Sequence, residues 1–176
     1  MLRHIAVVIA LIAGSFVSAT NSPADLTPAD SRKALPGIAL TDDKGGPVDL
    51  SAYKGRVVLL DFWATWCTGC KEEIPWFMEF QSKYNKAGLA VVGASLDDDG
   101  WKSVKPFLQE HKINYRIVLG TFESAKQFGV DKGMPVSVLI DRDGKIADLH
   151  PGMVDKDAFE HEIQTLLKET PKNTAR

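Results

Sequence analysis

Cysteine is almost absent from this sequence: 176 residues hold two, Cys67 and Cys70. So few excludes a framework of structural disulfides and a four-cysteine zinc site. Histidine does not fill the gap, because His111, His150 and His161 stand singly along the chain. There is no block of basic residues, and 21 Lys and Arg against 23 Asp and Glu leave a net charge of −2. That balance argues against nucleic acid or an anionic membrane as the main partner. No repeat or low-complexity tract occurs, and no apolar run reaches the ~20 residues of a membrane-spanning helix.

What is present begins with MLRHIAVVIALIAGSFVSA, where Arg3 precedes an apolar run from Ile5 to Val17 that ends in Ser18 and Ala19. A secretory signal over residues 1–19 is expected, with an uncleaved anchor as the alternative. No cysteine lies near the expected cleavage point, so a lipid-anchored form is not expected. Export would put both thiols in an oxidising compartment, where a disulfide can form and persist. Residues 20–34 are rich in Pro, Ser, Asp and Ala without an apolar period, and read as a flexible lead; residues 169–176 read as a flexible tail. Between them, 35–168 is long enough for one domain with its own core.

GIALTDDKGGPVDL predicts two short strands around a turn at Asp42, Asp43, Gly45 and Gly46. RVVLLDFWA and LAVVGAS are continuous apolar runs, the pattern of strands covered on both faces. After the cysteines, Ile74, Phe77, Phe80 and Tyr84 recur at helical spacing until Gly88. Asp97 to Asp99 suit the start of a further helix, with Trp101, Val104, Leu108 and His111 on one face. A short strand at Tyr115 to Leu119 and a short helix in TFESAKQFGV follow. PVSVLIDRDGKIADLH predicts a hairpin turning at Asp143 and Gly144, and a last helix puts Phe159, Ile163, Leu166 and Leu167 together. The order implies an α/β fold with a central mixed sheet and helices on both sides.

The cysteine pair can be a partial metal site, a staple or a redox centre. Zinc lacks its other ligands, whereas Cu(I), which thiolates suit, is harder to exclude. As a staple the pair is weak: a four-residue loop removes roughly 2 kcal/mol of unfolded-state entropy before strain. As a redox centre it can open and close without disturbing anything distant. Cys67 falls where a strand gives way to a helix, so unpaired N–H groups and the helix dipole favour its thiolate. Cys67 is therefore the expected nucleophile and Cys70, one turn on, the expected resolving thiol. Asp61 interrupts an apolar strand, where an ionised carboxylate is costly unless paired. It is a candidate for moving the Cys70 proton, or else a carboxylate hydrated at a strand end. Glu73 shares a helical face with Cys70 and could do the same work, whereas Glu72 faces away.

The stretch DFWATWCTGCKEEIP, with Asp61, Trp66, Cys67, Cys70, Lys71 and Pro75, resembles the active-site segment of thioredoxin. FWATWC followed by CKEEIP is similar to the exported TlpA/ResA group, and the likeness extends through GPVDLSAYKG, VVGASLDDDG and GMPVSVLIDRDGKI. It implies a thioredoxin-like fold with an N-terminal β-hairpin and a central insertion near 97–115. It also implies a cis Pro135 against the cysteines, and a client-binding edge formed by Met134, Pro135, Trp66, Thr68 and Gly69. A strand-start proline is the plainer reading of Pro135. Thr68-Gly69 departs from the Gly-Pro of thioredoxin and from the Pro-Pro or Glu-Pro common in the group, which leaves the redox potential open. Asp61 follows thioredoxin, where ResA-type members often carry a neutral residue.

The expectation is an exported thiol-disulfide oxidoreductase, in the periplasm or on the outer face of the cytoplasmic membrane, that reduces protein disulfides. Its redox group is the Cys67–Cys70 disulfide, with no other cofactor and no resident metal. By resemblance, apocytochrome c is the leading client and a membrane thiol donor of the DsbD/CcdA kind supplies electrons. The alternatives are a DsbA-like oxidase and a copper or haem-site metallochaperone using the same pair. A peroxidase of the peroxiredoxin kind is disfavoured, because Ala64 stands where P-x-x-x-T-x-x-C requires Thr.

Overall fold

Seven strands form one mixed sheet in the order β1-β7-β6-β3-β4-β5-β2 in the computed structural model, which describes residues 26–171. The expected signal and the ends of the expected lead and tail lie outside the described residues. At the centre, β3 (Val57–Trp63) runs parallel to β4 (Leu89–Ser95) and antiparallel to β6 (Val136–Ile140). Every residue of these three strands is buried, as continuous apolar runs require of strands covered on both faces. Outward from them lie β7 (Lys145–Pro151) and β1 (Lys33–Ala34) on one side, and β5 (Arg116–Gly120) and β2 (Leu40–Thr41) on the other.

Alternation along β3 divides the core. Val58, Leu60 and Phe62 face the layer that contains Val48, Leu50, Phe128 and Val130. Val57 and Leu59 face the layer built by helices α1 (Thr68–Tyr84) and α4 (Lys156–Lys168), which supply Phe77, Phe80, Phe159, Ile163 and Leu166. By the same alternation Asp61 and Trp63 point to the α1 side. The predicted helix stripe is therefore core, each large side chain contributing about 1.5–3 kcal/mol by burial. Helix α2 (Trp101–His111) fills the expected insertion, and α3 (Phe122–Ala125) is the short helix after β5.

Two expectations change. Residues 26–34 are not a free lead: Thr27 N–H donates to Ala147 O, β1 pairs with β7, and Arg32 is 7% exposed. The Arg32 guanidinium holds Asp141 at 3.1 Å and Glu169 at 2.6 Å, so the lead and the start of the expected tail are tied to the hairpin. A charge-rich segment docks here because one arginine gains two carboxylates. Asp97 does not cap α2, whose N-cap is Gly100 without a side-chain bond. Its carboxylate turns back and accepts from Thr65 N–H, Thr65 Oγ1 (2.6 Å) and Ser95 Oγ (2.8 Å).

Candidate active site

Cys67 and Cys70 are joined in a disulfide at the start of α1. Strand β3 ends at Trp63, and Cys67 takes the N-cap position, its Sγ accepting the Cys70 N–H at 3.2 Å. Cys70 is fully buried; Cys67 is only 6% exposed. Cys67 is the less buried of the two, but it is more enclosed than the exposed nucleophile the sequence leads one to expect. Its cover is an open depression of about 480 Å³ lined by Trp66, Thr68, Gly69, Phe122, Lys132 and Met134.

Trp66 is 65% exposed at the rim. The Met134–Pro135 peptide is cis, and β6 begins one residue later at Val136. Pro135 lies against the cysteine loop: a Cβ added to Gly69 would stand 3.3 Å from Pro135 Cδ and 3.2 Å from Met153 Cγ. A side chain at 69 would need Met153 or Pro135 to give by a few tenths of an ångström, so glycine eases this close approach in the first turn of α1. The five residues expected at the client edge thus surround the disulfide.

Asp61 is 1% exposed and Glu73 is fully buried. Neither Asp61 oxygen has a hydrogen-bond partner among the described residues; Glu73 accepts from Val154 N–H at 2.7 Å and leaves Oε2 unpartnered. Burial, and then the charge of Glu73, hold the Asp61 pKa well above the ordinary range. Burial raises Glu73 to about 7, against the Val154 bond and His150, which lower it. Both acids are therefore protonated far above the usual carboxylate range. Glu72 is exposed, as its helical position predicts.

Sequence reasoning missed two features. Asp97 fixes the Thr65 backbone two residues before Cys67, and the signal for it lies in topology: β3 and β4 are parallel neighbours, so the loops after them meet. His150 is not isolated but lies 2.8 Å from Glu162 and 3.3 Å from Asp148. The ligand-type atoms of this trio fall within 4.8 Å of one another, a spacing the ion pairs account for, and we assign it no metal.

Comparison with known proteins places the chain in a family. The AhpC/TSA family model matches residues 32–149. Thiol-disulfide oxidoreductase ResA of Bacillus thuringiensis subsp. konkukian is 30% identical over 135 residues, 76% of this chain and 77% of that protein. ResA of Geobacillus kaustophilus is 26% identical over 94% of this chain and 95% of its own length. Among solved structures, a thiol:disulfide interchange protein DsbE from Chlorobium tepidum superposes with a TM-score of 0.67 at 36% identity, covering 77% of this chain and 96% of that one. A secreted thiol-disulfide isomerase from Corynebacterium glutamicum shares the fold at a TM-score of 0.73 and 21% identity, covering 88% and 97%.

Proposed function

Since the chain belongs to the AhpC/TSA family and is a thioredoxin-like thiol-disulfide oxidoreductase similar to ResA, we propose that it works outside the cytoplasm as a dedicated reductant of protein disulfides. The Cys67 thiolate attacks a client disulfide and releases one client thiolate. The Cys70 thiol then loses its proton to Asp61 or Glu73, and its sulfur attacks Cys67, releasing the second client thiolate and closing the Cys67–Cys70 bond. Two electrons pass to the client, and one proton remains on a buried acid. The disulfide is the whole redox group. Client residues on either side of the target bond lie along Met134 and Pro135, with Trp66, Thr68 and Gly69 as the opposing wall.

The observation that carries the proposed direction of electron flow is a pair of buried acids, Asp61 with neither oxygen hydrogen-bonded among the described residues and Glu73, one helical turn from Cys70, with one oxygen unbonded. A strong oxidant has a stabilised reduced form. Here two effects oppose each other. The helix N-terminus favours the Cys67 thiolate by about 0.3–1 kcal/mol, up to ~2 when partly buried. Glu73 follows Cys70 by one helical turn, where Cβ atoms are about 5–6 Å apart. Once ionised at that range it opposes a thiolate by about 3 kcal/mol at an effective dielectric of about 20. The dipole acts on Cys67 and the Glu73 charge on Cys70, so an ionised acid disfavours a second thiolate and with it the fully ionised reduced pair. This favours a reductant over a DsbA-like oxidase.

Export is supported by the signal-like segment 1–19. The site then sits in the periplasm or on the outer face of the membrane, and a membrane thiol donor of the DsbD/CcdA kind recharges it. Apocytochrome c, with its paired thiols before haem attachment, is the client we assign. The test is reduction of a disulfide-bonded Cys-x-x-Cys-His peptide by the reduced protein, with a Cys70→Ala variant to trap the Cys67 mixed disulfide. Rapid reduction and a trapped adduct support the reading. Failure to react with the peptide, or Cu(I) retention without any reductase activity, would replace it with another client or with the metallochaperone.

A further inference from the structure

The two acids proposed to receive the Cys70 proton are sealed from solvent, yet each oxidation of the pair leaves a proton there that either waits for the next reduction of Cys70 or exchanges with water. A polar row crosses the sheet on their side. Asp61 on β3 stands opposite Ser137 on β6, and Ser137 stands opposite His150 on β7. Directly paired residues share a face, and two strand spacings put Asp61 and His150 about 10 Å apart along this row. Its neighbours on the same face are Leu59, Leu139 and Phe159, all core residues. Ser137 is fully buried, and its hydroxyl has no hydrogen-bond partner among the described residues. A lone serine in an apolar layer costs about 1–3 kcal/mol in desolvation if it stays unbonded, which calls for an explanation.

At the far end, His150 Nε2 lies 2.8 Å from Glu162 Oε2, and the ring meets Phe159 edge-on with centroids 4.9 Å apart. Glu162 is 2% exposed, and its Oε1 has no partner among the described residues. The His150 side chain is 19% exposed and Asp148, 3.3 Å from it, is 23% exposed, so the row reaches solvent here and not at Asp61. The charged groups facing the ring are Glu162 from α4, Asp148 from β7 and Glu73 from α1. Burial lowers the imidazole pKa, but the Glu162 hydrogen bond and the three carboxylates more than offset this and raise it. That keeps the ring able to exchange protons near neutral pH.

The geometry points to a proton exit: His150, held by Glu162, passes the proton between solvent and the buried acids Asp61 and Glu73 by way of the Ser137 hydroxyl. The inference rests on the proton role of those acids proposed above. In balance, the Cys70 S–H bond breaks and its electron pair enters the Cys67–Cys70 bond. The proton moves to a carboxylate, then along Ser137 and His150 to water, and no further oxidant or reductant is needed. His150 is thus a positioning and relay residue that never touches the sulfurs.

The test follows oxidation of the reduced protein by a client disulfide, read by the fluorescence of Trp63 and Trp66 beside the pair in stopped flow across the neutral range. His150→Gln is expected to slow the Cys70 step at least about tenfold, a fraction of the gain usual for positioned proton transfer. Added imidazole buffer should restore the rate in proportion to its concentration. Ser137→Ala, a smaller change in the core, should slow the same step. A His150→Gln rate equal to wild type, or a slowed rate that buffer does not restore, overturns the exit. If the wild-type protein itself does not react with the disulfide, the oxidoreductase mechanism fails instead, so the two failures are separable.

Discussion

Replacing Glu73 by Gln should make the oxidised protein more stable, by an amount that grows as pH rises from the unfolded-state pKa of 4.5 to the folded-state value of about 7. Glu73 has its pKa raised from 4.5 to about 7, burial being the main cause. Between those values the folded chain keeps a proton that the unfolded chain has released, so wild-type stability is highest below 4.5, falls as pH rises, and is fully reduced above about 7. The interval at about 1.4 kcal/mol per pH unit comes to about 3 kcal/mol. Gln is neutral throughout, and its carbonyl can still accept the Val154 N–H that Glu73 takes at 2.7 Å. The raised pKa of His150 also removes stability as pH rises, but it does so in both proteins and largely drops out of the difference. Urea unfolding of the two oxidised proteins over a pH series measures the effect. The curves should coincide at low pH and diverge to about 3 kcal/mol above neutrality, with the variant the more stable. A constant gap at all pH values, or a variant that is less stable in alkali, would refute the assignment of a buried, destabilised carboxyl.

Other outcomes follow from the same structure. Asp61→Asn removes a second buried acid whose pKa is held high, so it should stabilise the oxidised fold as pH rises and slow disulfide reduction with an altered pH profile; a rate unchanged across pH would deny Asp61 its proton role. Arg32→Ala leaves Asp141, 7% exposed, without its guanidinium and should cost about 3 kcal/mol in urea unfolding, with early proteolysis of the N-terminal segment. Gly93→Ala sets a Cβ 2.7 Å from Ile117 Cδ1 and 3.0 Å from Trp63 Nε1, an overpacking worth about 1–3 kcal/mol in thermal unfolding; wild-type stability would mean that Ile117 swings clear.

The central strands, the cysteine helix and the β6–β7 hairpin were legible because local signals and burial agree there. β3 is apolar on both faces, and the stripe Ile74, Phe77, Phe80 has one wall to pack against. Asp61 stood out for the complementary reason, as the one charge in that strand. Contacts made across the sheet left no such trace. Ser137 and His150 look ordinary along the chain, and only the pairing of β6 with β3 and β7 sets them in line with Asp61. Asp97 resembles a helix cap until the parallel pairing of β3 and β4 turns it toward Thr65. Arg32 lies in a stretch with the composition of a linker, and its docking depends on carboxylates more than 100 positions away. Composition reports local preference, and a pair of charges brought together by tertiary structure overrides it.

The reduction potential of the Cys67/Cys70 couple, equilibrated against dithiothreitol or glutathione, tests the proposed direction of electron flow most directly. The distance between thioredoxin-like and DsbA-like couples is roughly 150 mV, about 7 kcal/mol for two electrons, far outside experimental error. Two buried acids beside Cys70 predict a value near or below roughly −250 mV. A value near roughly −120 mV would mean that the helix N-terminus dominates, that the protein is an oxidant, and that the reductant account is wrong.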